Sequence, residues 1–434
     1  MKNKILITLL FLLSISKGKS QEILTLENAI KIGLENNYDI KIFKNNLKIS
    51  EVNTAIGNAG MFPKVEANIV DNNSLQNTTQ TRQDGSTTTL NNAKNNNLSY
   101  GVGLNWTVFD GFKMFAKYDQ LKTLKQLSEA NLKLSIITKI SDINATYFDL
   151  VQQQQQLIAL DSSIVISNQR VTLAQNRFTI GKASKLEVLN AQVDLNTDIS
   201  LLLKQKELLA NTKTLLNELL ARDTTTEFKV YNDIIVDDKL LLNDIKSLAE
   251  KQNPQLESQI LNKKVAELEL KQIKSNRYPV ISVNSAYNFT ESQSSLGFVN
   301  QAYSKGLNYG FTATLNLFDG FSQRRNEKIA LLEIENSKIA IDQQNLNLNV
   351  AITTAFQTYL TNLELIKIEE KNLSIAKQNL DITLDKFKIG TITTIEFRTA
   401  QVNYINAKVR YSNAQYATKL SEIALKELAG NLSF

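Results

Sequence analysis

Two acids, Glu187 and Glu396, lie in stretches that the chain writes twice, Arg177–Leu195 and Lys386–Tyr404, 209 positions apart. Each acid follows a glycine by six residues (Gly181, Gly390). Each glycine follows an aromatic and an isoleucine (Phe178 and Ile180, Phe387 and Ile389). A carboxylate becomes an acid or base catalyst only beside a nucleophile, a metal or a second ionising group. The chain has no histidine and no cysteine, which removes the commonest metal ligand and general base, all thiolate chemistry and any disulfide. No phosphate-cradling loop accompanies the acids. The expectation is no enzyme, no cofactor and no metal. An acid placed after such a glycine suits the first turn of a helix, whose amide end favours negative charge.

The elements that position these acids are duplicated too. Phe109-Asp110-Gly111 returns as Phe318-Asp319-Gly320, again 209 residues on. Two markers at one offset mean an internal repeat. The plan is a leader over 1–20, a first repeat over 21–220, a linker over 221–238 and a second repeat over 239–434. Lys2 and Lys4, the apolar run Ile5–Ile15 and Gly18-Lys19-Ser20 give residues 1–20 the form of a secretory signal peptide. Its loss removes four lysines and no acid, so the formal charge falls from +6 to +2. The basic character therefore belongs to the leader, and no basic patch with interleaved aromatics speaks for nucleic acid.

Hydropathy alternates with period two in two regions, 64–109 and 280–318. Leu98, Tyr100, Val102, Leu104, Trp106 and Val108 alternate with small or polar residues, as do Tyr287 and Phe289, then Leu307, Tyr309, Phe311, Ala313, Leu315 and Leu317. Val65, Ala67 and Ile69 start the first region, and a polar stretch over 71–97 reads as a long loop. Strands of this length with an apolar, aromatic-tipped face suit an outer-membrane barrel. The expected membrane-facing residues are Tyr100, Val102, Leu104, Trp106, Tyr287, Phe289, Tyr309, Phe311 and Leu315.

The remainder is helical. Pro63 and Pro279 stop a helical stretch at equivalent points, and Pro254 opens a helix where Asp39 lies in the first repeat. Asp110 and Asp319 are placed to cap the helices that follow. From 112 to 178, and from 321 to 387, no proline occurs; at ~1.5 Å per residue each stretch reaches about 100 Å. The return helices carry Val188, Leu195, Leu202, Leu209 and Leu216, flanked by Leu201, Leu208 and Leu215, with Phe397, Tyr404, Tyr411 and Leu425 in the second copy. Seven-residue spacing is a coiled-coil seam. The run Gln152–Gln156 reads as a solvated or lumen-facing surface.

Four strands cannot close, and open edges in hydrocarbon leave backbone groups unpaired, so a shared barrel in a homo-oligomer is required. The fold class is mixed α and β: long antiparallel coiled-coil hairpins plus four strands per chain contributing to a transmembrane β-barrel. The glycine turns, the acids six residues later, the proline and Phe-Asp-Gly junctions and the doubled plan resemble the TolC-like outer-membrane efflux proteins over about Glu22–Ser433. The resemblance implies a homotrimer in outer-membrane lipid with twelve barrel strands and a periplasmic helical tunnel. It implies a periplasmic adaptor (membrane-fusion protein) and an inner-membrane resistance-nodulation-division or ABC pump, in efflux or type I secretion. It places the adaptor contacts at the tips Ile180, Gly181, Lys182, Ala183 and Ser184, and Ile389, Gly390, Thr391, Ile392 and Thr393. It places the periplasmic aperture at Glu187, Glu396 and Thr399, where an acid repeated around an axis favours cations. Phe387 and Ile392 stand where family members have a polar latch, so the tip is expected to close by a different latch or by apolar packing. An exported coiled-coil structural or adhesive envelope protein is the alternative; it fits the helices and leaves the amphipathic strands without a role.

Overall fold

The computed structural model describes residues 22–231, 233–295 and 299–432; the signal-peptide reading lies outside the described residues. One element plan is run through twice. The first pass is β1 (Glu22–Leu24), α1 (Leu26–Asn36), α2 (Tyr38–Asn53), a 3₁₀ turn (Ile56–Ala59), β2 (Lys64–Thr81), β3 (Thr87–Phe109), α3 (Lys113–Thr179) and α4 (Lys185–Leu219). The second is β4 (Phe228–Val230), α5 (Leu242–Gln252), α6 (Pro254–Ser275), β5 (Val280–Ser294), β6 (Gln301–Thr314), α7 (Ser322–Ile389) and α8 (Thr394–Leu428). Residues 45–129 and 258–342 form a sheet-bearing unit, and the rest a helical unit. β4 falls in the stretch 221–238 and pairs in parallel with β1.

In the helical unit an asparagine joins each pair of short helices. Asn37 Oδ1 accepts from the N–H groups of Asp39 and Ile40 (2.9 and 3.3 Å), and its Nδ2 donates to Leu219 O at the end of α4 (2.9 Å). Asn253 does the same in the second repeat, accepting from Gln255 and Leu256 (3.0 and 3.1 Å) and donating to Leu428 O (3.0 Å). One buried side chain thus caps a helix start and satisfies a carbonyl at a distant helix end. These caps align Pro254 with Tyr38, one residue from the expected Asp39. The core behind them is also doubled. Ile143, Leu216 and Leu220 pack with Ile30 and Phe228, and Ile352, Leu425 and Ala429 pack with Ile245 and Ala249. Gly33 makes room for Leu220's cluster, since a Cβ there would lie 2.4 Å from Ile143 Cδ1; Ala249 replaces it where Ala429 replaces Leu220. Bulk is exchanged across the contact, which dense packing demands.

The seam residues Val188, Leu202 and Leu216 are buried and Leu195 and Leu209 half-buried, whereas Leu201, Leu208 and Leu215 are exposed. The glutamine run is partly covered within the chain: Gln153 is buried and the other four are half-buried. Gln153 donates to Asp149 Oδ2 and Thr212 Oγ1 (both 2.9 Å). Gln152 and Gln156 both donate to Asn413 Oδ1, and Gln155 accepts from Ser412 Oγ (2.8 Å). Five consecutive helical residues face every direction. Because α3 packs on both α4 and α8 here, most of them meet a neighbour.

In the other unit the sheet order is β2-β3-β5-β6, antiparallel throughout. The polar stretch 71–97 is strand rather than loop. β2 and β3 continue to a five-residue turn, closed by Arg82 N–H to Ser86 O (2.8 Å) with Gly85 at φ +80°. Backbone pairing needs no apolar face, and threonines oppose one another at Thr79–Thr89 and Thr81–Thr87 (3.1 and 3.3 Å). In the second hairpin β5 runs to Ser294 and β6 begins at Gln301. β6 stops at Thr314, so Leu315 lies outside the strand: its partner β5 begins at Val280, opposite Thr314. Asp110 and Asp319 do cap α3 and α7, accepting from Met114 N–H (3.2 Å) and Gln323 N–H (2.6 Å). Phe112 and Phe321, beside them, both hold left-handed backbone (φ +69° and +64°).

Asn37→Ala or Asn253→Ala should each lower the thermal midpoint of the detergent-extracted protein by the equivalent of about 1–3 kcal/mol, a cap plus an unpaired carbonyl. Circular dichroism melts check this; unchanged midpoints would show the amide to be dispensable.

Candidate functional site

Both helix hairpins turn in the same way. Gly181 (φ +74°) and Gly390 (φ +81°) end α3 and α7 in left-handed conformation. Their N–H groups reach Phe178 O (2.9 Å) and Phe387 O (3.1 Å), and the next N–H groups reach Arg177 O (2.8 Å) and Lys386 O (3.0 Å). This is the Schellman closure, which requires glycine for its backbone; no atom crowds either position. Ser184 and Thr393 then cap α4 and α8, accepting from the N–H groups of Glu187 (3.3 Å) and Glu396 (3.2 Å). Glu396 completes a capping box by accepting from Thr393 N–H (3.0 Å), while Glu187 lies 3.5 Å from Arg177 Nη1. Glu396 and Thr399 remain exposed, and Thr399 Oγ1 bonds back to Ile395 O (3.0 Å). At the tips Ile180, Gly181, Lys182, Ser184, Ile389, Gly390, Thr391 and Thr393 are exposed. Ala183 and Ile392 are half-buried.

Behind the second tip the rings of Phe387 and Phe397 stack at 4.9 Å, 5° from parallel, both fully buried. Ile166, Leu173, Leu384, Ile392 and Tyr404 pack around them. Both positions expected to replace a polar latch therefore belong to one apolar cluster joining α3 to α7 and α8.

Next to this cluster lies an ionic network that the sequence reading missed. Arg398 of α8 makes two bonds to Asp198 of α4 (2.9 and 2.8 Å) and lies 3.7 Å from Asp194. Asp198 also accepts from Ser163 Oγ (3.2 Å) and Ser167 Oγ (2.5 Å) of α3, and Gln401 donates to both serines. Arg170, fully buried, pairs with Asp194. Burial alone would raise the Asp198 carboxyl, but the bonds from Arg398 and Ser167 hold it below the usual carboxylate range. Arg170 keeps Nε and Nη1 without a hydrogen-bond partner, and it lines a cleft of about 700 Å³ with Val165, Leu173, Leu384, Phe387 and Phe397. Only the four-residue spacing of Ser163 with Ser167 and Asp194 with Asp198 hinted at this in sequence; the partner arginine is 200 residues away.

The sheet brings the expected outward residues onto one face. Val102 opposes Ala67 and Tyr287, Tyr100 opposes Ile69 and Phe289, Trp106 opposes Val283, and Val283 opposes Phe311. Tyr100 stacks on Phe289 at 5.1 Å. Tyr309 and Phe311 are about four-fifths exposed (82% and 77%), an apolar surface that water does not favour. The other face carries Lys64, Glu66, Asn68, Gly103, Asn105 and Asn284. Among the described residues no set of three or more acids is placed to hold a metal, and no helix is long and apolar enough to cross a membrane.

An exported chain with an apolar-faced, open-edged sheet and doubled helical hairpins defines a class of envelope channel. The family profile described as "Outer membrane efflux protein" matches residues 29–222 and 245–431. The chain belongs to that family. Its fold is similar to the Campylobacter jejuni CmeC outer membrane channel (17% identity, TM-score 0.78, 93% of this chain and 85% of that one). It is similar also to VceC from Vibrio cholerae (15%, 0.76, 94% and 96%) and to the open state of the Neisseria gonorrhoeae MtrE outer membrane channel (14%, 0.72, 94% and 89%). No curated protein matches it in sequence. The chain is an outer-membrane efflux channel, an exit duct with a tunnel extending into the periplasm. The family is one of transport ducts.

Replacing one ion of the buried pair should destabilise more than replacing both. Asp198→Leu or Arg398→Met should each cost about 3 kcal/mol, and the double variant less, measured in a double-mutant cycle. A lowered carboxyl adds stability that is present above its unfolded value near pH ~3.9 and disappears as pH falls through its folded value. Acid titration of the wild type should therefore show an unfolding contribution below about pH 4 that Asp198→Leu lacks.

Proposed function

We propose that three copies of this chain join their sheets into a twelve-stranded barrel and stack their duplicated units, 21–220 and 239–434, into one conduit. The observation that supports this best is the sheet itself, four antiparallel strands with one apolar face and bare edges at β2 and β6. Such edges survive in hydrocarbon only by pairing with another strand. The duct is passive, driven by an inner-membrane pump of the resistance-nodulation-division or ABC type through a periplasmic adaptor. The adaptor meets the two tips, Ile180–Ser184 and Ile389–Thr393. Their exposed isoleucines and the cleft with Arg170's unpartnered N–H groups support that placement.

At the tunnel end Glu396 and Thr399, with Glu187 in the other tip, form the aperture. Glu396 is exposed and three copies would ring the axis with carboxylates, a field favourable to cations. The stack of Phe387 on Phe397, with Ile392 against it, supports closure by apolar packing.

Gly390→Val should leave the oligomer in the outer membrane yet abolish drug or dye export, because a β-branched residue resists left-handed backbone. Normal export by a correctly inserted variant would refute the tip assignment. Glu396→Gln retains the capping box, since glutamine serves there equally. It should weaken cation preference and divalent block in single-channel recordings with the thermal midpoint unchanged; unaltered selectivity would take Glu396 out of the aperture.

A further inference from the structure

Arg170 stands where the pattern of α3 calls for an apolar residue. Ile166, Arg170 and Leu173 follow one another at four and three positions, so they share one stripe of the helix. The outer two pack on the Phe387–Phe397 stack. The second repeat keeps them as Ile375 and Ile382 but has Asn379 at the centre. The guanidinium is therefore no part of the duplicated plan, and its place needs a reason of its own.

A guanidinium carries five N–H donors on three nitrogens and keeps its proton at any ordinary pH. Arg170 is 1% exposed, and of its nitrogens Nη2 alone has an acceptor, Asp194 Oδ2. Nε and Nη1, with three donors between them, have no partner. The two acids of the network are already engaged. Asp194 also lies 3.7 Å from Arg398 Nε, and Asp198 accepts from Arg398, Ser163 and Ser167. Donors left bare in a dry place are costly, and those of a charged group more so than those of a neutral one. Such a group suits a site whose occupant brings the acceptors.

The cleft beside it has the size and lining to take a small molecule. Its volume is about 700 Å³, within the ~300–1,000 Å³ of ordinary ligand sites. Val165, Leu173, Leu384, Phe387 and Phe397 make the wall apolar, and Arg170 sets a buried charged group in it. Lys388 is a second cation on the lining, exposed and 3.4 Å from Asp385. A wall of this kind selects an amphiphile, since the apolar part takes the body and the donors take the head. The head must offer more than one oxygen to three donors, and a charged acceptor bonds a guanidinium more strongly than a neutral one. A phosphate dianion would carry a second charge into a largely apolar place, where each charge is costly to desolvate. A carboxylate brings two oxygens and one charge.

We infer that this cleft binds a small amphiphilic carboxylate. Its oxygens accept from Arg170 Nε and Nη1, and its aromatic or branched body lies against Leu173, Leu384 and Phe387. The guanidinium is screened from water, so side chains at the rim part to admit the head; Val165, 57% exposed, stands on that rim. The bound molecule touches α3 and α7 at once, and binding the folded chain alone it stabilises it by mass action. An adaptor at the tips would sit beside this cleft. What enters the cleft is argued from its own residues, none of which belongs to Ile180–Ser184 or Ile389–Thr393.

The probe is 1-naphthylacetate, titrated calorimetrically into the detergent-extracted full chain with protein-free micelles as the blank. It should bind saturably and raise the thermal midpoint, and the uncharged 1-naphthylacetamide should bind about ten times more weakly. Arg170→Met should remove that preference for the acid. Val165→Trp fills the cleft from an exposed position and leaves every charge in place; it should abolish binding of both probes while the oligomer and its own thermal midpoint are kept. Absence of saturable binding, equal affinity for acid and amide in the wild type, an acid preference that survives Arg170→Met, or undiminished binding to an assembled Val165→Trp would each overturn the inference. None of these results bears on the tips, which stand or fall with export by Gly390→Val.

Discussion

Hydrocarbon offers no partner for a backbone N–H or C=O, and each one left bare there costs several kcal/mol. That constraint bears on the sheet-bearing unit more heavily than any side-chain contact. The register of four strands gathers valine, tyrosine, tryptophan and phenylalanine on one face and asparagine, glycine and short polar residues on the other. One face is thereby suited to an apolar surrounding and the other to water before any partner is considered. What the sheet cannot do alone is terminate, because β2 and β6 each end on a row of unpaired groups. An exit duct fits this incompleteness, because strands that pair edge to edge around an axis enclose a space.

Duplication supplied two copies of one plan, and the copies have since diverged in what they carry. The short-helix caps, the glycine turns and the aspartates after the strands are retained in both. The ionic network is not. Arg170, Asp194 and Asp198 correspond to Asn379, Asn403 and Ala407, and Arg398 corresponds to Leu189. The first hairpin contributes both acids and Arg170, which pairs with Asp194, and the second contributes Arg398, which binds Asp198, so the charges tie one hairpin to the other rather than repeating in each. A buried pair of this kind adds little net stability over an apolar contact but penalises a misplaced neighbour severely. It suits a place where two hairpins must keep one relative position.

Much of this was legible in the residues. Period-two alternation marked the membrane strands because one face must be apolar, and the Gly181 and Gly390 turns announced themselves by what only glycine does at a helix end. The polar half of the first hairpin was not legible, since a ladder of backbone bonds leaves no hydropathic trace when both faces meet water. The glutamine run misled for a related reason: polarity suggests solvent, but α3 packs on two neighbours and its amides serve as interhelical bonds. Arg398 and Asp198 were hidden by separation along the chain, and Asn37 and Asn253 by the fact that a capping residue does not reveal its second, remote partner. Leu315 was assigned to a strand because alternation continues through it, although β6 ends at Thr314, where its partner β5 begins. At the aperture and the tips most of the named residues are exposed, but Ala183, Glu187 and Ile392 are half-buried. The carboxylate of Glu396 has a helix-capping task in addition to any it has in a pore.

The first hairpin rises well beyond the second. β5 pairs with β3 only as far as Asn95 opposite Ser294, and from Gln76 to Ala93 the strand pairing among the described residues is between β2 and β3 alone. This ribbon consists mostly of Asn, Thr, Gln and Ser, and its side-chain ties run between Thr79 and Thr89, Thr81 and Thr87, Ser86 and Asp84, and from Asn92 N–H to Asn77 Oδ1 (2.8 Å). It holds its form by main-chain pairing and asks little of its side chains. On an exit duct such a ribbon suits the side that meets water, where neither face needs an apolar partner. Main-chain pairing tolerates exchange of one short polar residue for another, so the ribbon can vary in sequence while its ladder of bonds stays the same.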